Sequence, residues 1–275
     1  YAEDLRIDYS ILDQHAESYR KIRNTFRYLL GNINDNFEDI KLDDLDLTKL
    51  PELEQYVLHK LYDLNLNFQK YFKNYDFHNL YKELLNFCTV DLSAFYFDIR
   101  KDCLYCDPEN SKKRKATILT LNIILNSLLK WFAPILSFTT EEIYKMLLKN
   151  NKSIHLEKFI KFPEKFKNEK LNEKWKELIK IRDICNISIE EKRSIKEIGS
   201  SLEAELKIEI DEKLKDLTNE IDFSELCITS SAEVVYTNRA ETKASTNKAK
   251  GSKCSLCWKI NEKKCHRDSC PKSTQ

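Results

Sequence analysis

Between positions 10 and 30, Ile11, Tyr19, Ile22, Phe26, Leu29 and Leu30 fall on one stripe with His15 and Ser18, and charged residues lie opposite. That spacing predicts an amphipathic helix, and Gly31 stands where helices commonly stop. An acidic stretch over 32–49 reads as a loop. Pro51 suits the first turn of a second helix over 53–74, with Val57, Leu58, Leu61, Leu64, Phe68, Tyr71 and Phe72 facing inward. A third helix is predicted over 77–99. Asp107-Pro108 marks a turn before a fourth over 111–132, which ends near Pro134. Thr139-Thr140-Glu141-Glu142 has N-cap chemistry and predicts the opening of a shorter fifth helix. Amphipathic helices joined by short loops predict an antiparallel bundle over 1–150.

The pattern changes after 150. Another helix is predicted over 168–192, with Trp175, Leu178, Ile181, Ile184 and Cys185 on one side, and Gly199-Ser200-Ser201 breaks it. Residues 206–210 alternate as a strand, 211–219 read as a short helix, and 226–236 as a second strand region. These make a small α/β junction element over 151–237. A Thr-, Lys-, Ala- and Asn-rich linker over 238–250 opens the last region, 238–275, which ends in a basic, cysteine-bearing tail. The predicted fold is mainly α: a helical bundle, an α/β junction and a zinc-binding tail.

Composition narrows the function. The only glycines are Gly31, Gly199 and Gly251, so no clustered-glycine loop can cradle a phosphate. No stretch approaches the roughly 20 apolar residues of a membrane span, and no secretory signal is visible. Nine cysteines cannot all pair in disulfides, which fits reduced thiols and a cytoplasmic protein. The net charge of +1 conceals an asymmetry: residues 239–275 hold 10 Lys/Arg against 3 Asp/Glu, or +7, leaving −6 elsewhere. A charge run alone reads as a solvated tail. Here it encloses Cys254-Ser-Leu-Cys257-Trp258, Cys265-His266 and Cys270, which have metal-ligand spacing. A zinc-pinned basic tail is a common device for gripping RNA. The sequence starts at Tyr1 and stops shortly after Cys270, so a piece of a longer protein is expected.

Other residues carry candidate RNA chemistry. Arg20, Arg23 and Arg27 share a helical stripe flanked by Lys21 and Asn24, suited to phosphates and a base edge. The competing reading is local ion pairing with Asp13 and Glu17. Lys112, Lys113, Arg114 and Lys115 put positive charge at a helix start, against the dipole, which suits a phosphate partner or solvated lysines. Trp258 with Lys259 comes directly after the cysteine turn, where the indole can stack on a base or cover the metal. Trp131 and Trp175 read as core, and Cys88, Cys185 and Cys227 as small buried hydrophobes. Cys103-x2-Cys106 also has ligand spacing and with the tail pair could form a four-thiolate site, but two incidental cysteines at a helix end are expected. His15, His59, His78 and His155 stand apart from any nucleophile, and no catalytic constellation is found.

Several stretches go beyond general pattern. Tyr19-Arg-Lys-Ile-Arg-Asn-Thr-Phe-Arg-Tyr-Leu-Leu-Gly-Asn32 resembles the opening helix of the anticodon-binding domain of class Ia aminoacyl-tRNA synthetases. Phe95-Tyr-Phe-Asp-Ile-Arg-Lys-Asp102 with Leu104-Tyr105 resembles its third helix, and Ala133-Pro-Ile-Leu136 with 139–143 a later turn. Ser153-Ile-His155-Leu156, Arg182-Asp183 and Ile198-Gly-Ser-Ser-Leu-Glu-Ala204 are similar to the family's segment C-terminal to that bundle. Together with Cys254-x2-Cys257-Trp258 and His266-x3-Cys270, the order is similar to the bacterial isoleucyl branch. The leucyl, valyl and methionyl enzymes are the nearest rivals, and a non-catalytic helical RNA-binding protein with a zinc tail is the rival of another class.

The resemblance implies an anticodon-binding region that holds isoleucine-accepting tRNA, not DNA or a membrane. The parent enzyme, expected to be monomeric, would join isoleucine to tRNA using ATP and Mg bound in a catalytic domain that this sequence lacks, so the piece alone would be inactive. The family's metal pattern closes with C-x2-C, whereas the position three after Cys270 is Ser273, a poor zinc ligand. Cys254, Cys257 and Cys270 are then the expected ligands, with Cys265 or His266 as the fourth.

Overall fold

The computed structural model describes residues 7–33, 37–148, 152–262 and 265. The chain divides into two compact units, one of Tyr1–Phe97 with Lys115–Lys167 and one of Asp98–Arg114 with Asn168–Gln275.

The first unit is helical. Its α1 (Tyr9–Ile33) continues past Gly31, which meets nothing within 4 Å, so the predicted stop is not used. Its second half packs through the buried Ile22, Thr25, Phe26, Leu29 and Ile33, and Tyr19 OH meets Thr139 Oγ1 at 3.0 Å, while Tyr9 and Leu12 are exposed. Helix α2 (Glu52–Lys73) starts after Pro51, as predicted. The single helix expected over 77–99 is instead α3 (Phe77–Asn86), a π-helical stretch Phe87–Phe97, and the start of α4 (Asp98–Cys106). A π turn brings residues five apart onto one face. Phe87, Leu92 and Phe97 have that spacing and are all buried. Tyr28 stacks on Phe97 with ring centroids 4.2 Å apart.

Helix α5 (Lys112–Phe132) supplies Trp131, which stacks on Phe68 at 5.8 Å, and Phe132, which meets Phe26 edge-on at 6.0 Å. The fully buried Glu54 carboxylate accepts hydrogen bonds from Tyr96 (3.2 Å) and Thr117 (3.1 Å), tying α2, the π stretch and α5 together. Helix α6 (Ser137–Leu148) begins three residues earlier than an N-cap at Thr139 predicts. Glu141 instead accepts from Ser153 Oγ (2.9 Å) and Ile154 N (3.0 Å), so it caps the next segment and not its own helix.

The second unit holds α4, α7 (Glu169–Ser194) and a three-stranded sheet of order β2-β1-β3. Strand β1 (Ala204–Asp211) buries Ala204, Leu206, Ile208 and Ile210 completely. It pairs parallel with β2 (Ser231–Thr237) across a crossover holding the short helices α8 (Lys215–Thr218) and α9 (Phe223–Leu226). On its other edge it pairs antiparallel with β3 (Lys243–Lys248). The stretch 238–250 expected as a linker is therefore partly sheet. Its polar sequence hid the strand because only Thr246 is buried, and that hydroxyl is satisfied by Ser188 of α7 at 2.8 Å. A two-stranded ribbon, β4 (Ser252–Lys253) with β5 (Ile260–Asn261), carries the cysteine turn.

Candidate metal centre and nucleic-acid surface

Backbone hydrogen bonds close the cysteine turn. Trp258 N donates to Cys254 O (3.0 Å) and Cys254 N to Lys259 O (2.9 Å), closing the loop between β4 and β5. Leu256 N points at Cys254 Sγ from 3.4 Å, the kind of contact that steadies a sulfur ligand. Ile260 N donates to Ser230 Oγ (2.6 Å), which donates to Leu202 O (2.5 Å), anchoring the ribbon to its own unit. Gly251 is required at the ribbon's entry: its φ is +119°, and a Cβ there would lie 2.2 Å from Asn261 O. Gly251→Ala is accordingly expected to open the ribbon and lower metal affinity at least tenfold, read by chelator competition. An unchanged affinity would show that the ribbon does not position the cysteines.

The sulfurs of Cys254, Cys257 and Cys265 all lie within 4.8 Å of one another and are buried. Cys257 and Cys265 are 3.9 Å apart, close to the edge of about 3.8 Å that a tetrahedron of Zn–S bonds demands. No described cysteine is in a disulfide. Three sulfur donors this close together suit a soft cation. The three buried cysteines thus fit a metal ion. Cys265 takes its place among them, whereas Cys270 and His266 lie outside the described residues. The fourth sulfur of the buried cluster is Cys106, expected to be incidental. Its partner in spacing, Cys103, is buried elsewhere, and burial pushes its thiol up to about 12.

Trp258 sits at the end of the turn with φ +62° and 60% of its surface exposed, and Lys253 Nζ sits 5.7 Å from the ring centre. The indole therefore lies open rather than buried over the sulfurs. Lys259 is buried, and its charge helps hold Asp222 below its ordinary value. Burial, the largest single influence, opposes that lowering, and hydrogen bonds from Ser224 and Glu225 to the carboxylate together with the Lys259 charge outweigh it.

The basic residues sort differently. Arg20, Lys21, Arg23, Asn24 and Arg27 are all exposed on α1, and Arg20 pairs with Glu17, as the local ion-pair reading expects. Lys112 is exposed. Lys113 is half-buried and pairs with Glu225 at 2.9 Å, beside Arg100, which reaches the same carboxylate at 2.8 Å. Arg114 Nη1 donates to Asp107 O at 2.7 Å. Lys113 and Arg114 therefore already serve contacts within their own unit. Sequence reasoning missed Lys253, which has no local pattern, and it weighed Cys106 only as a pair with Cys103, which lies outside the cluster.

Residues 54–210 match the family model described as "Anticodon-binding domain of tRNA ligase". The chain belongs to this family. As an anticodon-binding chain it is 67% identical over 269 residues to an isoleucine–tRNA ligase of Pelagibacter ubique, covering 98% of this chain and 30% of that protein. It is 37% identical to the isoleucine–tRNA ligase of Zymomonas mobilis (94% and 27% covered) and 38% identical to that of Agrobacterium fabrum (94% and 28%). The anticodon-binding chain thus spans less than a third of the length of these curated relatives. The matched span includes Lys112–Arg114 but neither the α1 stripe nor the cysteine turn. Among the described residues no helix is long and apolar enough to cross a membrane.

Proposed function

We propose that this chain is the tRNA-recognition region of an isoleucine–tRNA ligase. The observation that carries the reading is the 67% identity over 98% of the chain to such an enzyme. The helices of 1–150 hold the anticodon stem-loop, with Arg20, Lys21, Arg23 and Arg27 on phosphates and Asn24 on a base edge. Lys112 adds a cation, while Lys113 and Arg114 position the start of α5. The junction, 151–237, carries the tail, 238–275, which is pinned by one structural zinc on Cys254, Cys257, Cys265 and a ligand beyond them. Trp258 stacks on an unpaired base, with Lys253 close to the ring and the phosphate chain. Binding here positions the acceptor end for ATP- and Mg-dependent chemistry in another part of a cytoplasmic parent.

Trp258 gives the reading its test. A non-glycine residue at this φ costs about 1–2 kcal/mol in backbone strain. Trp258→Gly relieves that strain while removing the ring. Zinc content should stay unchanged and the melting temperature should not fall. Affinity for isoleucine-accepting tRNA should drop between roughly 5- and 100-fold, the value of one stacked base. Undiminished affinity would remove the stacking role.

A further inference from the structure

We propose that Cys106 is a positioning residue for the thiolate centre, holding the Cys254–Cys257 turn from the end of helix α4 without itself binding the metal. The inference rests on the reading of Cys254, Cys257 and Cys265 as ligands, and it goes beyond that set.

Cys106 is the last residue of α4 and is 9% exposed, in one buried cluster with the three tail sulfurs and with Leu256 packed alongside. Its Sγ lies 3.6 Å from Leu256 O in donor geometry. Leu256 sits between the two cysteines of the turn and directs its own N–H at Cys254 Sγ from 3.4 Å. One residue of the turn is thus gripped at both ends: its carbonyl accepts from Cys106 and its amide faces a ligand sulfur. Fixing the carbonyl fixes the orientation of Leu256 and, with it, the N–H···S contact.

Two observations separate this role from ligation. The set whose sulfurs are mutually within 4.8 Å contains Cys254, Cys257 and Cys265 and omits Cys106. The Cys106 sulfur is placed instead against the backbone of the turn, 3.6 Å from Leu256 O. The anchor itself is firm. Asp107 N donates to Cys103 O (3.1 Å), and Arg114 Nη1 grips Asp107 O (2.7 Å), so the end of α4 is pinned immediately beyond Cys106. Groups that orient metal ligands in this way are worth roughly 10- to 100-fold in metal affinity.

The test is a cobalt(II) titration of the 275-residue chain under reducing conditions, reading sulfur-to-cobalt charge-transfer absorbance for the wild type, Cys106→Ala, Cys106→Ser and Cys257→Ser. The wild type should bind one cobalt with a thiolate band, and Cys257→Ser should lose it. Cys106→Ala should keep the wild-type absorbance per bound cobalt while its affinity falls about 10- to 100-fold. Cys106→Ser, which retains a donor, should recover most of the affinity. An affinity for Cys106→Ala within twofold of wild type would overturn the proposal, as would the loss of one thiolate's share of the band. Should Cys106→Ala fail to fold, the absorbance per cobalt of Cys106→Ser decides alone: unchanged supports positioning, reduced means ligation. A wild type that takes up no cobalt would instead bring down the metal reading, and this inference with it.

Discussion

Cys257→Ser should leave the purified chain with less than about a tenth of the zinc that the wild type carries, near one ion per chain. A structural site needs every thiolate, and a serine oxygen is a poor substitute among sulfurs. The consequence should be local. Strands β4 and β5 are two residues each, too short to hold a ribbon by their own ladder. On the proposed reading the turn depends on its few hydrogen bonds and on the metal. Amide exchange should therefore become fast across 251–262, while α2 and α5, anchored around Glu54 and Trp131, keep their protection. Zinc quantification with hydrogen exchange reads both. Equal zinc in variant and wild type, or protection lost evenly over the whole chain, would remove the metal from this account.

The combined substitution Arg20→Ala, Arg23→Ala and Arg27→Ala should weaken tRNA binding on the order of 100-fold in 0.1 M salt, because each phosphate contact contributes nearly one logarithmic unit at that concentration. The salt dependence should flatten as well, with the slope of log affinity against log salt falling by about 2–3. These side chains are exposed, so the fold should be unaffected and the melting temperature unchanged. Arg20 must release Glu17 to engage a phosphate, so its share should be the smallest of the three. Parallel salt slopes for variant and wild type would place the phosphate contacts elsewhere.

Helices α2 and α7 were legible in the sequence because their apolar positions recur at helical spacing, and α5, buried on most sides, because the turns at Asp107-Pro108 and Pro134 bound it. The π stretch was not, because its residues are apolar on nearly every side and a change of winding leaves no periodic signature. Gly31 misled because α1 continues where that glycine meets no neighbour, and Thr139 misled because Glu141 serves a later segment. Strand β3 stayed hidden because an edge strand with one buried hydroxyl looks like any polar linker. At the site, Cys254 and Cys257 were legible from spacing alone. Cys106 was weighed as a pair with Cys103 and set aside, because nothing in the sequence shows its place beside Leu256, 150 positions away. Lys113 and Arg114 looked like free cations because their partners, Glu225 and Asp107 O, are set by folding and not by neighbourhood in sequence.

The most direct measurement of the central claim is a binding comparison on the 275-residue chain, with zinc present, between an isoleucine-accepting tRNA transcript, the same transcript with its anticodon replaced, and a length-matched random RNA. Recognition through this region predicts the order native, then anticodon-replaced, then random, with the native transcript at least tenfold tighter than the anticodon-replaced one, a margin that one base contact of about 1–3 kcal/mol can supply. Equal affinity for all three would contradict it.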